Sequence, residues 1–67
     1  MTLGEKLRQK RTLIGYDMRA ASRFVGVNYS TYTRWERDLV QPRFEHRLKL
    51  AELFGVPVTA LQDDKAA

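Results

Sequence analysis

Residues 17–37 of the chain read DMRAASRFVGVNYSTYTRWER, and this stretch decides the fold. Asp17 and Asn28 are residue types that cap the N-termini of helices well. Gly26 lies between them and suits the left-handed position that follows the last turn of a helix. The stretch therefore predicts two short helices, over residues 17–25 and 28–37, joined by a tight turn.

The second of these helices has to be weighed against a β-strand. Its aromatic and β-branched residues have strand propensity, but an alternating pattern would place Tyr32 and Trp35 on opposite faces. At about 100° per residue they instead fall on one side, together with Asn28, Thr31 and Glu36. The pattern thus favours a helix with an inner and an outer face. The outer face contains Tyr29, Ser30, Thr33, Arg34 and Arg37.

A first helix is predicted over residues 2–13. Thr2 caps it, and Glu5 three residues later completes a capping box. Gly15 then ends the helix. The apolar residues at helical spacing on its inner face are Leu3, Leu7 and Ile14.

A fourth helix is predicted over residues 42–54, and Gly55 stops it. Its apolar stripe consists of Phe44, Leu48 and Ala51, with either Phe54 or Leu50. Pro57 suits the first turn of a short fifth helix, with Val58 and Leu61 turned inward. The sequence therefore predicts an all-α domain of five short helices over residues 1–61, followed by a short polar tail over residues 62–67.

The composition is that of one small folded domain. The chain has 67 residues, of which 43% are hydrophobic and 30% charged. With no Cys and one His, it can form neither a disulfide nor a thiolate or histidine-cluster metal site. Paired carboxylates and a glycine-rich phosphate loop are absent too, so we expect no catalytic residues, no metal and no cofactor. No apolar run is long enough to cross a membrane, and a cytoplasmic location is expected.

Basic side chains exceed acidic ones by four. Because Asp63, Asp64 and Lys65 lie in the tail, residues 1–61 contain 11 basic and 6 acidic side chains. Such a surplus points to a polyanionic partner, with nucleic acid as the first candidate. The alternative is that the charge only keeps a small protein in solution. The side chains assigned to solvated surface are Arg8, Arg23, His46, Arg47 and Lys49.

The two central helices and their turn form a helix-turn-helix. In DNA-binding examples the first helix crosses the DNA backbone, and the second lies in the major groove with its N-terminal residues at base edges. Here Tyr29 and Ser30 occupy the first turn of the second helix. Arg34 follows one turn later, where a guanidinium can pair with guanine O6 and N7. Arg37 lies near the helix end, within reach of phosphate only.

Residues 4–61 resemble the Cro and phage-repressor (XRE-type) helix-turn-helix family, whose domains are similar to that of lambda repressor. The strongest match is the turn GVN at 26–28 followed by STYTRWER at 30–37. The sequence between Leu48 and Val56 resembles the fourth helix of the family with its terminal Gly-Val. GEKLR at 4–8, together with Arg11, resembles the first helix.

The resemblance implies roles for individual residues. Base contacts fall on Tyr29, Ser30 and Arg34, and Thr33 faces the same groove. Phosphate contacts fall on Asn28, Arg37 and Arg43, the last beside the N-terminal amides of the fourth helix. Arg11 and Glu36 match an ion pair that ties the first helix to the recognition helix.

Two departures from the family pattern affect these expectations. The family usually begins its second helix with a phosphate-binding glutamine, and this chain has Met18 there, with Arg19 as the expected replacement. The glycine that usually ends the recognition helix is Asp38, which is predicted to be left-handed.

These observations predict a sequence-specific double-stranded DNA-binding transcription regulator, a repressor that reads a palindromic operator as a homodimer. It would be found on the nucleoid and would need no small-molecule ligand. The residues expected at the dimer interface are Leu39, Val40, Val56 and Val58. The alternative is a protein-interaction module on the same scaffold, such as the antitoxin of a toxin–antitoxin pair.

Overall fold

This computed structural model describes residues 1–62 of the chain, which contain four α-helices and one short 3₁₀ helix. The α-helices are α1 (Leu3–Leu13), α2 (Met18–Val25), α3 (Tyr29–Glu36) and α4 (Phe44–Phe54), and the 3₁₀ helix is Val58–Ala60. The all-α prediction is confirmed, and residues 29–36 are helical rather than extended. The fifth helix, however, is only a single 3₁₀ turn. Most of the predicted tail lies outside the described residues.

The first three helices begin where their capping residues predict. The Glu5 N–H donates to Thr2 Oγ1, and the Thr2 N–H donates to Glu5 Oε1 at 2.8 Å, which forms the predicted capping box. The hydrogen bonds from Thr2, backbone first, lower the pKa of Glu5. Asp17 accepts from the Ala20 N–H at 2.7 Å and so caps α2. Gly26 ends α2 in the left-handed conformation with φ +88°, which allows the tight turn into α3.

The core lies between α3 and the helices that surround it. Tyr32 and Trp35 on the inner face of α3 are buried, and their rings meet edge to face with centroids 5.7 Å apart. The buried apolar residues around them are Leu3, Leu7, Ala21, Val25, Leu50, Ala51, Phe54 and Leu61. Tyr32 and Trp35 are therefore buried as predicted for the inner face of α3, whereas Asn28, predicted for the same side, is exposed. Ile14, predicted to continue the apolar stripe of α1, is exposed beyond the end of that helix.

The predicted apolar stripe of α4 was wrong in its first half. Phe44 and Leu48 are 65% and 47% exposed, whereas both Leu50 and Phe54 are buried. The inner face of α4 begins instead with two polar residues. His46 lies against Trp35 with ring centroids 5.3 Å apart, and Arg47 donates from Nε to the Pro42 carbonyl at 3.0 Å. Both are half-buried, so their assignment to solvated surface was also wrong.

The N-terminus of α1 is joined to the end of α3 by a close backbone crossing. Asp38 is left-handed with φ 60°, as predicted. Its carboxylate accepts from the Thr2 hydroxyl at 2.6 Å and from the Gly4 N–H at 2.9 Å. A Cβ on Gly4 would lie 2.8 Å from the Trp35 carbonyl oxygen, so only glycine fits this crossing. α1 is thus fixed directly against the helix that presents the candidate site.

Candidate nucleic-acid interface

The face of α3 opposite Tyr32 and Trp35 is open to solvent. All five residues predicted for it lie there, with Thr33 half-buried and the others exposed: Tyr29, Ser30, Thr33, Arg34 and Arg37. The Thr33 hydroxyl donates to the Ser30 carbonyl at 2.8 Å, so its methyl group and oxygen lone pairs remain for an outside partner. This face combines an aromatic ring, hydroxyls and guanidinium groups, which are chemical groups that read base edges and phosphates.

Asn28 occupies the N-cap position of α3, as predicted, but within the described chain its side chain makes no capping hydrogen bond. The Asn28 amide is exposed beside the first turn of α3. A side-chain amide and a helix N-terminus together offer several N–H donors in one place. This arrangement suits a phosphate oxygen.

At the start of α2 the predicted phosphate contacts Met18 and Arg19 differ in character. Met18 is half-buried and packs against the core, and a thioether donates no hydrogen bond. Arg19 is exposed, and its Cζ lies 4.3 Å from the centroid of the Tyr29 ring. Of the two, Arg19 is therefore the residue that can attract an anion at this end of the motif.

A concave surface of about 330 Å³ lies between α1, α2 and the outer face of α3. Arg8 from α1 and Arg37 from the end of α3 line it together with Tyr29 and Thr33. Arg8 was predicted to lie on solvated surface only, because its position in α1 gives no sign of how near α3 lies. The structure adds this cation to the basic surface around the recognition helix.

The Arg11–Glu36 pair forms the floor of this concave surface. Arg11 Nε donates to Glu36 Oε2 at 2.7 Å, and Arg11 Nη1 donates to the Tyr16 carbonyl at 2.9 Å. The hydrogen bond to Glu36 raises the pKa of Arg11. The Tyr32 hydroxyl is buried near the pair; burial first and Glu36 second raise the pKa of this phenol. The structure thus brings together the two residues predicted to tie α1 to α3.

A second basic position lies at the start of α4. Arg43 is the N-cap residue of α4 and is exposed, and its side chain makes no capping hydrogen bond within residues 1–62. Arg43 directly precedes the first backbone N–H groups of α4. A helix N-terminus next to an arginine is a favourable site for a phosphate.

The four residues predicted for a dimer interface do not form one exposed surface. Val56 and Val58 are half-buried and pack against the core. Leu39 and Val40 are exposed in the loop that leads into α4. Phe44 and Leu48, one turn apart on the outer side of α4, are exposed as well. Between residues 38 and 54, the exposed large apolar side chains are Leu39, Val40, Phe44 and Leu48.

Among residues 1–62, no cluster of His, Asp and Glu side chains is arranged to hold a metal ion. No helix in that range has the length and apolar character needed to cross a membrane.

The sequence profile of the helix-turn-helix family matches residues 7–61, most of the chain. The chain belongs to the helix-turn-helix family. It is similar to the P22 c2 repressor, solved in complex with a synthetic operator, with 26% identity over 92% of this chain and 94% of that one, at a TM-score of 0.88. A comparison with the curated proteins found no match.

A second similar structure is the N-terminal DNA-binding domain of SinR from Bacillus subtilis, with 27% identity over 97% of this chain and 96% of that one, at a TM-score of 0.84. SinR in complex with SinI is 28% identical over 96% of this chain and 63% of that one, at a TM-score of 0.86. These matches confirm the resemblance to the phage-repressor type of helix-turn-helix. The matched structures are a repressor bound to operator DNA and a DNA-binding domain rather than enzymes.

Proposed function

We propose that this helix-turn-helix protein is a transcription regulator that binds double-stranded DNA by sequence, as a homodimer on a palindromic operator. The observation that carries the proposal is the division of α3 into two faces. Tyr32 and Trp35 fix one face in the core, which leaves Tyr29, Ser30 and Arg34 exposed on the other. A rigid helix with such a face is what the major groove accepts.

Phosphate contacts are assigned to residues that precede and follow α3 in the chain. Arg19 and Asn28 lie at the turn between α2 and α3, and Arg43 lies at the start of α4. Contacts to phosphate on either side fix the height and angle of a recognition helix in the groove. Arg37 at the end of α3 adds a fourth contact. Met18 is left out because its side chain packs against the core.

Selection from random double-stranded DNA, followed by sequencing, tests this function most directly. The wild-type protein should enrich a palindrome whose half-sites lie about one helical turn, ~34 Å, apart. Enrichment of a single, unrepeated half-site would contradict the homodimer. No enrichment at all would contradict sequence-specific binding and would favour a protein-interaction module.

Arg34 and Arg43 should differ in how their loss affects binding. Because Arg34 is assigned to a base, Arg34→Ala should cost about 1–3 kcal/mol per half-site and relax the preference at one base pair. Because Arg43 is assigned to phosphate, Arg43→Ala should weaken all sequences alike and reduce the salt slope by about one unit. Titrations at several salt concentrations against the selected site and its point variants measure both effects. A change in preference caused by Arg43→Ala alone would reverse the assignment.

The homodimer is assigned to the apolar surface of Leu39, Val40, Phe44 and Leu48. Charge placed in an apolar interface between two copies is desolvated and repelled by its symmetric equivalent. Phe44→Glu should therefore reduce assembly of two copies on the operator by at least tenfold, as measured by sedimentation of the protein–DNA complex. Leu13→Glu is the matched control, because Leu13 is also an exposed apolar side chain but lies at the end of α1. Equal effects of the two variants would contradict this interface.

A further inference from the structure

A stacked contact joins the two helices of the motif at their exposed ends. The guanidinium carbon of Arg19 lies 4.3 Å from the centroid of the Tyr29 ring. Arg19 is in the first turn of α2, and Tyr29 is the first residue of α3. At this distance the guanidinium interacts with the negative face of the ring.

The backbone on both sides of this contact is held in place. The Arg19 carbonyl accepts from Ser22 Oγ at 2.7 Å, and α2 is capped by Asp17 just before it. On the other side, the Asn28 carbonyl accepts from the Tyr32 N–H at 3.1 Å, which fixes the start of α3. The remaining freedom is in the side chains, and the stack restricts the two torsions of Tyr29.

A ring held in one orientation has less entropy to lose when it binds. We propose that Arg19 is a positioning residue for Tyr29, so that the base preference under Tyr29 depends on the Arg19 stack. The proposal rests on the proposed function, since Tyr29 must contact a base for its orientation to matter. It differs from a phosphate contact, which would affect all sequences alike.

Stacking and charge have to be separated, because a stacked guanidinium uses its face and keeps its edge N–H groups for phosphate. Arg19→Lys keeps the positive charge but replaces the flat group with a hydrated ammonium. Arg23→Lys is the matched control: Arg23 is exposed one turn further along α2 and lines the same shallow groove beside Asn28 and Tyr29.

The experiment begins with the site that the wild type selects from random DNA. Comparing Tyr29→Ala with the wild type identifies the base pair that Tyr29 contacts, because this variant should lose its base preference at that position of the site. At that position Arg19→Lys should lower the ratio of affinities for the selected and the other base pairs by about two- to fivefold. This is the range expected for an exposed cation–π contact. Its salt slope should stay at the wild-type value. Arg23→Lys should leave the preference unchanged, and adding Arg19→Lys to Tyr29→Ala should lower it no further.

Unchanged preference in Arg19→Lys, with a site still selected by the wild type, would overturn the role of Arg19 and leave the proposed function standing. A wild type that selects no site would overturn both. The stack itself is tested without DNA by NMR, since a ring face shifts nearby protons upfield. The Arg19 Hδ protons should show such a shift, and Tyr29→Ala should remove it. An Arg19 Hδ shift that Tyr29→Ala leaves unaltered would also overturn the proposal.

Discussion

Gly4→Ala is expected to destabilise the protein by about 3 kcal/mol, at the upper end of the cost of an overpacked core. A Cβ on Gly4 would overlap the Glu36 carbonyl oxygen and lie 2.8 Å from the Trp35 carbonyl oxygen. These are backbone atoms in the last turn of α3, so they cannot rotate out of the way as a side chain would. α1 must move away from α3, and the Gly4 N–H bond to Asp38 is then stretched.

The sign of this effect is opposite to what helix propensity alone would give. Alanine is favoured over glycine by about 1 kcal/mol inside a helix, so an uncrowded site would gain stability. Small domains have only about 0.05–0.15 kcal/mol of stability per residue, so a 3 kcal/mol loss removes roughly a third or more of the free energy of unfolding. Urea denaturation of the variant and the wild type measures the difference.

Gly15→Ala is the control for the Gly4 prediction. Among the described atoms nothing lies within 4 Å of a Cβ at Gly15, but its φ of +76° is unfavourable for alanine. The expected cost is therefore about 1–2 kcal/mol from the backbone alone. A Gly4→Ala variant that is as stable as Gly15→Ala or more so would contradict the close crossing.

Glu36→Ala is expected to cost about 3 kcal/mol, because it leaves the Arg11 guanidinium in a poorly hydrated position without its counter-charge. The side chains of Arg11 and Glu36 are only 14% and 6% exposed. Thermal and urea denaturation should both show the loss. Sequence preference of the folded fraction should change much less, since Glu36 lies beneath the outer face of α3.

A surface ion pair supplies the control for this second prediction. Lys49 and Glu52 lie 3.8 Å apart on α4 with side chains 57% and 64% exposed. Glu52→Ala should therefore change stability by at most about 0.5 kcal/mol. Replacing both Arg11 and Glu36 by apolar residues should recover part of the loss seen in Glu36→Ala, because no charge is then left unpaired. Equal losses from Glu36→Ala and Glu52→Ala would contradict the structural role of the buried pair.

Local sequence signals predicted the first three helices because each depends on nearby residues. The capping box of Thr2 and Glu5, and the single apolar side formed by Tyr32 and Trp35, are visible within one or two turns. In α4 the same approach failed. His46 and Arg47 are polar residues that bury their rings or stems, so a stripe of apolar residues did not mark the inner face.

The features of the site that the sequence did not predict depend on contacts between residues far apart in the chain. The Asp38 carboxylate binds residues 34 and 36 positions earlier in the chain, which no local pattern reveals. From the sequence, Arg8 was assigned to solvated surface, and Arg19 was assigned to the phosphate contact that the family glutamine makes. Only the packing of the helices shows that Arg8 lies near Tyr29 and Thr33, and that Arg19 stacks on Tyr29. The outer face of α3 was predictable because a helix has 3.6 residues per turn. Once two aromatic residues on one side are assigned to the core, the residues on the opposite side must face solvent.

The shortness of α3 has a consequence for measured affinity. An eight-residue helix is below the length at which isolated helices persist in water, about 12–15 residues. Its shape therefore exists only while Tyr32 and Trp35 are docked in the core. The apparent Kd for DNA is then the intrinsic value divided by the fraction of molecules that are folded. Substitutions that destabilise the core will therefore lower occupancy of the operator through that fraction, even where they lie far from the groove.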